Sequence, residues 1–215
     1  LRDGPQRWIE QFTAEFPDVT HLALGADLSA DDAGLADFAA AGLELSWDTV
    51  LTAPELHEPP HPSPDGEFRP LRGDQDWALA AQLRDLCDAE EGPPPGRVFA
   101  DARHAARRAL AESGHGAWFG AFRGGELLAQ LGVVSDGSGI ARYQEVATHP
   151  DARRQGLAAA LLRHAGDYAR SELGASTLVI VTEPDGSAIG LYRSVGFADQ
   201  EMQIAIYRSP PDEPE

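Results

Sequence analysis

Residues 146–158 read V-A-T-H-P-D-A-R-R-Q-G-L-A, and the architecture of the chain can be worked out from this stretch. Its first three residues have the character of a strand end. His149-Pro150-Asp151 then forms a turn, because the residue before a proline avoids helical backbone. From Arg153 an amphipathic run follows, with apolar residues at helical spacing: Leu157, Leu161, Ala165, Tyr168 and Ala169. The pattern predicts a strand, a short loop and a long helix.

The junction between this loop and the helix has the chemistry of an anion site. Backbone N–H groups at the start of a helix have no partner within the helix, and the helix dipole is positive there. Gly156 has no side chain, so a large group can approach the backbone there, and the small side chain of Ala158 leaves space beside the next turn. Arg153 and Arg154 add guanidinium groups that suit anionic oxygens. The stretch therefore predicts a phosphate-binding site built from main chain.

Two segments resemble motifs of the GCN5-related N-acetyltransferases (GNAT). Arg153, Gly156 and Ala158 occupy the places of the family's motif A, which is Gln or Arg, two residues, Gly, one residue, then Gly or Ala. Residues 185–197, D-G-S-A-I-G-L-Y-R-S-V-G-F, are similar to the family's N-x-x-A-x-x-L-Y-x-x-x-G-F segment, and only the first position departs. The resemblance covers residues 67–208. It implies an α/β protein of GNAT fold, with a mixed central sheet splayed at the strand before the phosphate loop.

The resemblance also implies that the ligand is acetyl-CoA, bound as co-substrate. The pyrophosphate would lie on the loop and first helical turn, formed by Arg153, Arg154, Gln155, Gly156, Leu157, Ala158 and Ala159. The pantetheine arm would pair like an extra strand with Val146, Ala147 and Thr148. The N–H of Val146 would donate to the thioester oxygen. Asp185, where the family has asparagine, would lie near the pantetheine.

Two side chains are candidates for proton transfer. In the family, the tyrosine that matches Tyr192 protonates the departing thiolate, and a phenol with a pKa of about 10 is protonated at neutral pH, as a general acid must be. The alternative is that Tyr192 only packs its helix. Glu145 is the nearest carboxylate for the base. Strand alternation places Glu145 on the face opposite Gln144 and Val146, and a bulge, which the family has in this strand, would re-aim it. Otherwise Glu145 is a structural carboxylate.

The chain divides by composition into three parts. Residues 1–65 end in the proline-rich linker H-E-P-P-H-P-S-P, residues 66–208 form the expected acetyltransferase domain, and residues 209–215 form an acidic tail. The first part predicts a β-α-β extension of the domain.

This extension shares a pattern with the end of the chain. Its strand-helix-strand segment contains Phe38-x-x-x-Gly42-Leu43, and the segment from residue 177 to 207 contains Tyr192-x-x-x-Gly196-Phe197. The distance from the glycine to the end of the second strand is the same in both. Our hypothesis is a degenerate copy of half a GNAT domain that lacks the phosphate loop. The alternative is an ordinary β-α-β unit whose helix ends at a glycine.

Charge and composition exclude several classes of partner. The formal net charge of −18, with all 17 basic residues arginine, argues against nucleic acid and anionic membranes. No apolar run approaches the length of a membrane span, and the first residues lack the layout of a signal peptide. The single cysteine, Cys87, indicates a reducing cytoplasm and lies at helical spacing with leucines, so we expect it to be buried. The histidines form no metal-ligand pattern, so no metal is expected.

The sequence thus predicts a cytoplasmic N-acetyltransferase that moves acetyl from acetyl-CoA directly to an amine in a ternary complex. The acceptor is a small-molecule or peptide amine, and no residue pattern chooses between them or indicates an oligomeric state. Two alternatives stay open: a non-catalytic acyl-CoA-binding module, and an acyltransferase that uses a longer acyl group.

Overall fold

The computed structural model describes residues 3–19, 21–27, 34–58, 65–92 and 96–208. The helices are α1 Gly4–Glu15, α2 Leu35–Ala40, α3 Gly73–Glu91, α4 Arg97–Glu112, α5 Leu157–Ser171 and α6 Ile189–Ser194. The strands are β1 Leu22–Asp27, β2 Glu44–Ala53, β3 Glu67–Pro70, β4 Gly116–Arg123, β5 Glu126–Ser135, β6 Ile140–Thr148, β7 Thr177–Thr182 and β8 Ala198–Arg208. Most of the proline-rich linker and the acidic tail lie outside the described residues.

The chain forms two compact units, of which the larger consists of residues 51–180 and 187–198. Its strands lie in the order β7-β6-β5-β4-β3, antiparallel except for the parallel pair of β6 and β7. Alternation along β4 separates two cores. Phe119 packs with α5 on one face of the sheet, and Trp118 packs with α3 on the other. The protein is therefore an α/β protein with a mixed, largely antiparallel sheet, as predicted.

The smaller unit consists of residues 1–50, 181–186 and 199–215. Its strands lie in the order β1-β8-β2, and β1 runs antiparallel to β8, with Leu22 opposite Arg208. Its core contains Phe38 of α2 together with Ile204 and Ile206 of β8, and the apolar side of α1 packs against this core. These buried contacts stabilise the unit independently of any ligand chemistry.

The predicted splay of the sheet lies in the larger unit. β6 and β7 pair at three positions, and the last pair joins Arg142 to Val179. Beyond that pair, residues 143–148 of β6 have no strand partner on the β7 side among the described residues. A strand edge with unpaired N–H and C=O groups can accept an extended ligand as a further strand.

The splayed strand also contains a bulge. Gln130 of β5 lies opposite Ala147, but Gly132 lies opposite Gln144, so one extra residue is inserted in β6. Glu145 lies in this insertion and has a φ of 52°. A non-glycine residue with positive φ is uncommon. The bulge therefore fixes the direction of the Glu145 side chain.

The single cysteine is buried, as its spacing predicted. Cys87 of α3 packs in the same core as Leu83 and Trp118, and its thiol donates to the carbonyl of Thr148 at 3.7 Å. Thr148 is the last residue of β6. This contact ties α3 to the end of the strand that leads into the loop.

Candidate active site

The loop before α5, where the sequence predicts an anion site, ends in an uncapped helix start. Gly156 is the N-cap of α5 with a left-handed φ of 82°, and no side chain caps the helix. Inside the helix, the first amide to bond is that of Ala160, which donates to the carbonyl of Gly156 at 3.0 Å. The amides of the preceding turn therefore have no helical partner. Arg154 is also left-handed, with a φ of 58°. Turns of this kind form concave sites lined by N–H groups, which bind anions.

Two side chains brace this loop from outside. Arg153 pairs with Glu90 of α3 at 2.5 Å and donates to the carbonyl of Thr148 at 3.3 Å. Gln155 accepts a hydrogen bond from Arg123 at 3.0 Å and donates to the carbonyl of Asp151 at 3.1 Å. The contacts of Arg153 and Gln155 fix the conformation of the loop. Arg153 and Arg154 are both exposed.

The bulge turns Glu145 toward α4, where it forms an ion pair with Arg107. Val146 packs instead against the core on the α5 face. The bulge therefore places Glu145 on the α3 and α4 face, whereas unbroken alternation would have placed it on the α5 face. The Glu145 side chain is 31% exposed, whereas that of Arg107 is 9% exposed. The carboxylate is thus reachable from solvent while its cation is not.

Arg107 belongs to a larger group of charges between α3 and α4. We call it the arginine cluster; it comprises Arg84, Asp88, Arg103, Arg107 and Glu145. Asp88 pairs with Arg84 at 2.6 Å and also with Arg103. Burial opposes ionisation of Asp88, but the hydrogen bond from Arg103 and the charges of both arginines outweigh burial and lower its pKa. Burial lowers the pKa of Arg107, and the nearby Arg103 and Arg84 add to this, against the ion pair with Glu145.

The arginine cluster leaves some of its donors unsatisfied. The Nε atoms of Arg103 and Arg107 are buried and have no hydrogen-bond partner among the described residues. The other side of the Arg107 guanidinium contacts His104, with Nη1 3.2 Å from Nδ1. A buried donor without a partner costs about 1–3 kcal/mol. Such a cost is expected where a ligand or water completes the bonding.

Tyr192 lies on α6 and is 5% exposed. Its ring packs edge-on against Phe197 at 6.3 Å, and burial raises the pKa of its hydroxyl to about 12. The hydroxyl is therefore protonated throughout the neutral range. This protonation state is the one that a general acid needs.

Most of the predicted residues lie in the larger unit. Tyr192, Leu157 and Ala159 belong to the same buried core, and Val146 packs against it. Ala147 faces the other core, beside α3. Asp185 is exposed, lies in the smaller unit and follows β7. The loop before α5, the open edge of β6 and Tyr192 thus all belong to the larger unit.

Comparison with known families then identifies the chain. The family model described as Acetyltransferase (GNAT) family matches residues 80–197, which is more than half of the chain. The chain belongs to the GNAT family. This match contains the arginine cluster, the loop before α5 and Tyr192. A comparison with curated proteins finds no match.

Solved structures support the GNAT fold at low sequence identity. A conserved protein of unknown function from Staphylococcus epidermidis has a TM-score of 0.70 at 10% identity, over 96% of this chain and 81% of that one. A GCN5-related N-acetyltransferase from Kribbella flavida has a TM-score of 0.65 at 18% identity, over 94% and 73%. A tandem GNAT protein from the clavulanic acid biosynthesis pathway has a TM-score of 0.63 at 16% identity, over 94% and 67%. At such identities the likeness shows the fold alone.

Two features are absent from the described residues of this GNAT. None of its described helices is both long and apolar enough to cross a membrane. Among the same residues, no group of three or more His, Cys, Asp or Glu side chains is placed to hold a metal ion.

Sequence reasoning missed the arginines of α4 in this GNAT. The helix is rich in alanine and arginine, a composition typical of a solvated surface. The signal that could have found them is spacing: Ala100, Arg103 and Arg107 lie three or four residues apart and so share one helical face. Ala100 and Arg107 are the buried residues of that helix. An arginine in register with a buried alanine indicates a buried charge.

The buried tyrosines predict how stability depends on pH in this GNAT. Burial raises the pKa of Tyr192 to about 12, and burial with the charge of Asp167 raises that of Tyr143 further. In the unfolded chain both lose their protons at about pH 10. The pKa of each tyrosine is higher in the folded protein than in the unfolded chain. Its contribution to the free energy of unfolding is therefore complete below about pH 10 and is lost as the pH rises toward 12. For Tyr192 this contribution to the free energy of unfolding amounts to about 3 kcal/mol.

Urea unfolding followed by circular dichroism from pH 8 upward measures this effect. We expect the free energy of unfolding to fall above about pH 10 and the fall to shrink in Tyr192→Phe and in Tyr143→Phe. An undiminished fall in both variants would show that other groups cause the alkaline loss.

Proposed function

We propose that this GNAT is an N-acetyltransferase that transfers acetyl from acetyl-CoA directly to an amine. The observation that favours it most is the uncapped start of α5 at a left-handed Gly156, directly after a strand with an open edge. An uncapped helix start suits the pyrophosphate of a nucleotide carrier. An open strand edge suits an extended arm with amide groups.

The binding roles follow from these positions. Amides from Arg154 to Ala159 would hold the pyrophosphate, with Arg154 adding a charge from solvent. Arg153 and Gln155 would act mainly by bracing the loop, because their side chains already bond Glu90 and Arg123. Val146, Ala147 and Thr148 would pair with the pantetheine arm along β6. Asp185 lies near the end of β7, and its proposed contact with the pantetheine depends on an amide facing it.

The proposed chemistry needs one acid and one base. Acetyl-CoA supplies an acetyl thioester, whose carbonyl carbon the amine nitrogen attacks; a C–N bond forms and the C–S bond breaks. Tyr192 would give its proton to the departing sulfur, and the N–H of Val146 would donate to the carbonyl oxygen as negative charge develops. Glu145, directly or through water, would take the proton that the amine nitrogen loses. The protons balance, and no covalent acyl-enzyme is needed.

The ion pair of Glu145 also favours a second candidate, a non-catalytic acyl-CoA-binding module. When Glu145 takes a proton, the buried Arg107 loses its counter-ion, which costs free energy. A carboxylate held in this way could be purely structural. Release of CoA in the presence of an amine separates the two functions, because only the enzyme produces it.

We also propose that the N-terminal part is a degenerate half-domain copy. The elements correspond at a constant offset: α2 spans Leu35–Ala40 and α6 spans Ile189–Ser194. The hydrogen bonds at the helix ends correspond as well. Leu43 donates to Phe38 at 3.1 Å, as Phe197 donates to Tyr192 at 3.1 Å. The tandem GNAT among the structural neighbours gives a precedent for two copies in one chain. Phe38 has no hydroxyl, and the sequence of residues 28–34, L-S-A-D-D-A-G, lacks the pattern Arg-x-x-Gly-x-Ala of residues 153–158, so this copy would bind no CoA.

Calorimetric titration with acetyl-CoA and with CoA tests the proposed function. We expect binding in the micromolar range with one ligand per chain, because the proposal places the pyrophosphate on one loop, residues 153–158. Addition of amines to the acetyl-CoA complex should then release CoA. A protein that binds neither ligand would contradict the proposal at its first step. Two ligands per chain would contradict the degenerate half-domain.

A further inference from the structure

The proposed coenzyme arm leaves part of β6 free for the acceptor. The arm would run from the loop at residues 153–158 along residues 146–148, with the thioester at Val146. An amine must then reach the thioester over residues 140–145, the remaining part of the strand. At its start, this strand is hydrogen-bonded along both edges, to β5 on one side and to β7 on the other. An acceptor can therefore approach the start of β6 only from one of the two faces of the sheet.

One of these faces is filled and the other is open. Ala141 and Tyr143 point to the α5 face, where both are buried in the core. Strand alternation places Ile140 and Arg142 on the opposite face, and both are exposed. Glu145, turned by the bulge, lies on this same face and contacts α4. The acceptor therefore has to bind on the α3 and α4 face, along the strand that leads to Glu145.

A cavity of about 490 Å³ opens on that face. Its walls come from α4, β5 and β6 and include Leu110, Val134, Ile140 and Arg142. Leu110 follows Arg107 by three residues, so it lies on the side of α4 that contacts Glu145. Three residues of strand, about 10 Å, separate Arg142 from Glu145. The cavity thus lies within reach of an amine whose nitrogen is at Glu145.

The surface of this cavity is mainly apolar. Leu110 is 39% exposed and Ile140 is 48% exposed, although both are large hydrophobic side chains. The guanidinium of Arg142 makes no ion pair or hydrogen bond with any described residue, and such a group stacks well on an aromatic ring. Asp136 also lines the cavity, with its carboxylate on the amide of Ser138 at 2.9 Å, and its charge balances that of Arg142. The cavity therefore selects by apolar area and not by charge.

We infer that this cavity holds the body of the acceptor, and that the enzyme prefers primary amines bearing a bulky apolar group, such as an aromatic ring, several bonds from the nitrogen. The inference rests on the proposed acetyl transfer, because that proposal places the reacting carbon at Val146. The nitrogen lies beside Glu145. The ring lies between Leu110 and Ile140, against the guanidinium of Arg142. Burial of the ring supplies binding free energy for the acceptor and takes no part in bond making.

Matched pairs of amines test the inference on the unmodified protein. Each pair joins a phenylalkylamine to the alkylamine that lacks the ring: phenethylamine and ethylamine, 3-phenylpropylamine and propylamine, 4-phenylbutylamine and butylamine. The kcat/KM for acetyl-CoA-dependent acetylation is measured by CoA release and expressed per unprotonated amine, which removes differences in amine basicity. We expect the ring to raise kcat/KM by about 10- to 100-fold. The factor should be largest for the butyl pair, because about 10 Å separate Glu145 from Arg142.

Variants assign the preference to the cavity. Leu110→Ser and Ile140→Ser replace exposed apolar side chains, so both variants should fold. Each should lower the ratio of kcat/KM between 4-phenylbutylamine and butylamine by about 3- to 10-fold. Val98→Ser is the matched control, because Val98 is an 86% exposed apolar residue at the other end of α4 and does not line the cavity. The control should leave the ratio unchanged, whereas a general loss of folding would lower both rates alike.

The outcomes separate this inference from the proposed function. Equal kcat/KM within every pair, or a preference that survives both Leu110→Ser and Ile140→Ser, would overturn the acceptor pocket. So would a loss of self-association in Ile140→Ser, measured by sedimentation, with the ratio intact, because a second copy of the chain would then cover the cavity. The same holds if the protein binds acetyl-CoA but acetylates no amine of the panel. If acetyl-CoA itself fails to bind in the titration, the proposed function fails, and the acceptor pocket fails with it.

Discussion

The Gly156→Glu variant should lose CoA binding by about 100-fold or more, equivalent to ~3 kcal/mol. Two physical effects act in the same direction. Gly156 has a φ of 82°, and a residue with a Cβ is strained in the left-handed region. The new carboxylate would also lie at the positive end of α5, where it would compete with and repel the pyrophosphate. Calorimetric titration with CoA measures the loss.

The other end of α5 provides a matched control for this variant. Gly174 has a φ of 66°, and nothing lies within 4 Å of the position that a Cβ would occupy. The Gly174→Glu variant therefore introduces the same charge and the same kind of backbone strain away from the loop. We expect it to lower stability and to leave CoA affinity nearly unchanged. If both variants lose affinity alike, the effect comes from folding, and the loop has no special role.

The Tyr192→Phe variant should lower kcat by about 100- to 10,000-fold, the contribution typical of a positioned general acid. Removing the hydroxyl leaves the packing against Phe197 in place, so CoA affinity should change little. Because burial raises the pKa of Tyr192 to about 12, the unmodified enzyme should show no alkaline loss of rate from this group below about pH 11. Release of CoA thiol measures the rates.

Tyr143→Phe serves as the comparison. Tyr143 is also buried, but its hydroxyl donates to the carbonyl of Leu162 at 2.8 Å inside the core. Its loss should lower stability without slowing turnover. Equal activity of Tyr192→Phe and the unmodified protein would show that Tyr192 only packs its helix, the alternative that the sequence leaves open.

The sequence predicted those parts of the site that depend on neighbouring residues. The turn at Pro150, the glycine before the helix and the apolar face of α5 are all local signals, and the structure has each of them where they were expected. Helix periodicity and the preferences of proline and glycine act within a few residues. These local signals can therefore be interpreted without knowledge of the rest of the chain.

The parts that depend on distant contacts were not predictable in the same way. The direction of Glu145 depends on a bulge whose register is set by pairing with β5. The brace on Arg153 comes from Glu90, far away in sequence. Arg107 is buried by the packing of α4 against the sheet, a contact that the alanine- and arginine-rich composition of the helix does not show. Periodicity indicates which face of an element is buried but does not identify what lies opposite.

The position of Cys87 has a practical consequence for enzymology. This cysteine is the only one in the chain, and it lies in a closed apolar core with its thiol on the carbonyl of Thr148. A buried thiol reacts slowly with aromatic disulfide reagents, because they need access to the thiolate. In the folded protein, the yellow colour of such a reagent should therefore report coenzyme thiol alone. In denaturant the same reagent should count one thiol per chain, which gives the concentration of unfolded molecules directly.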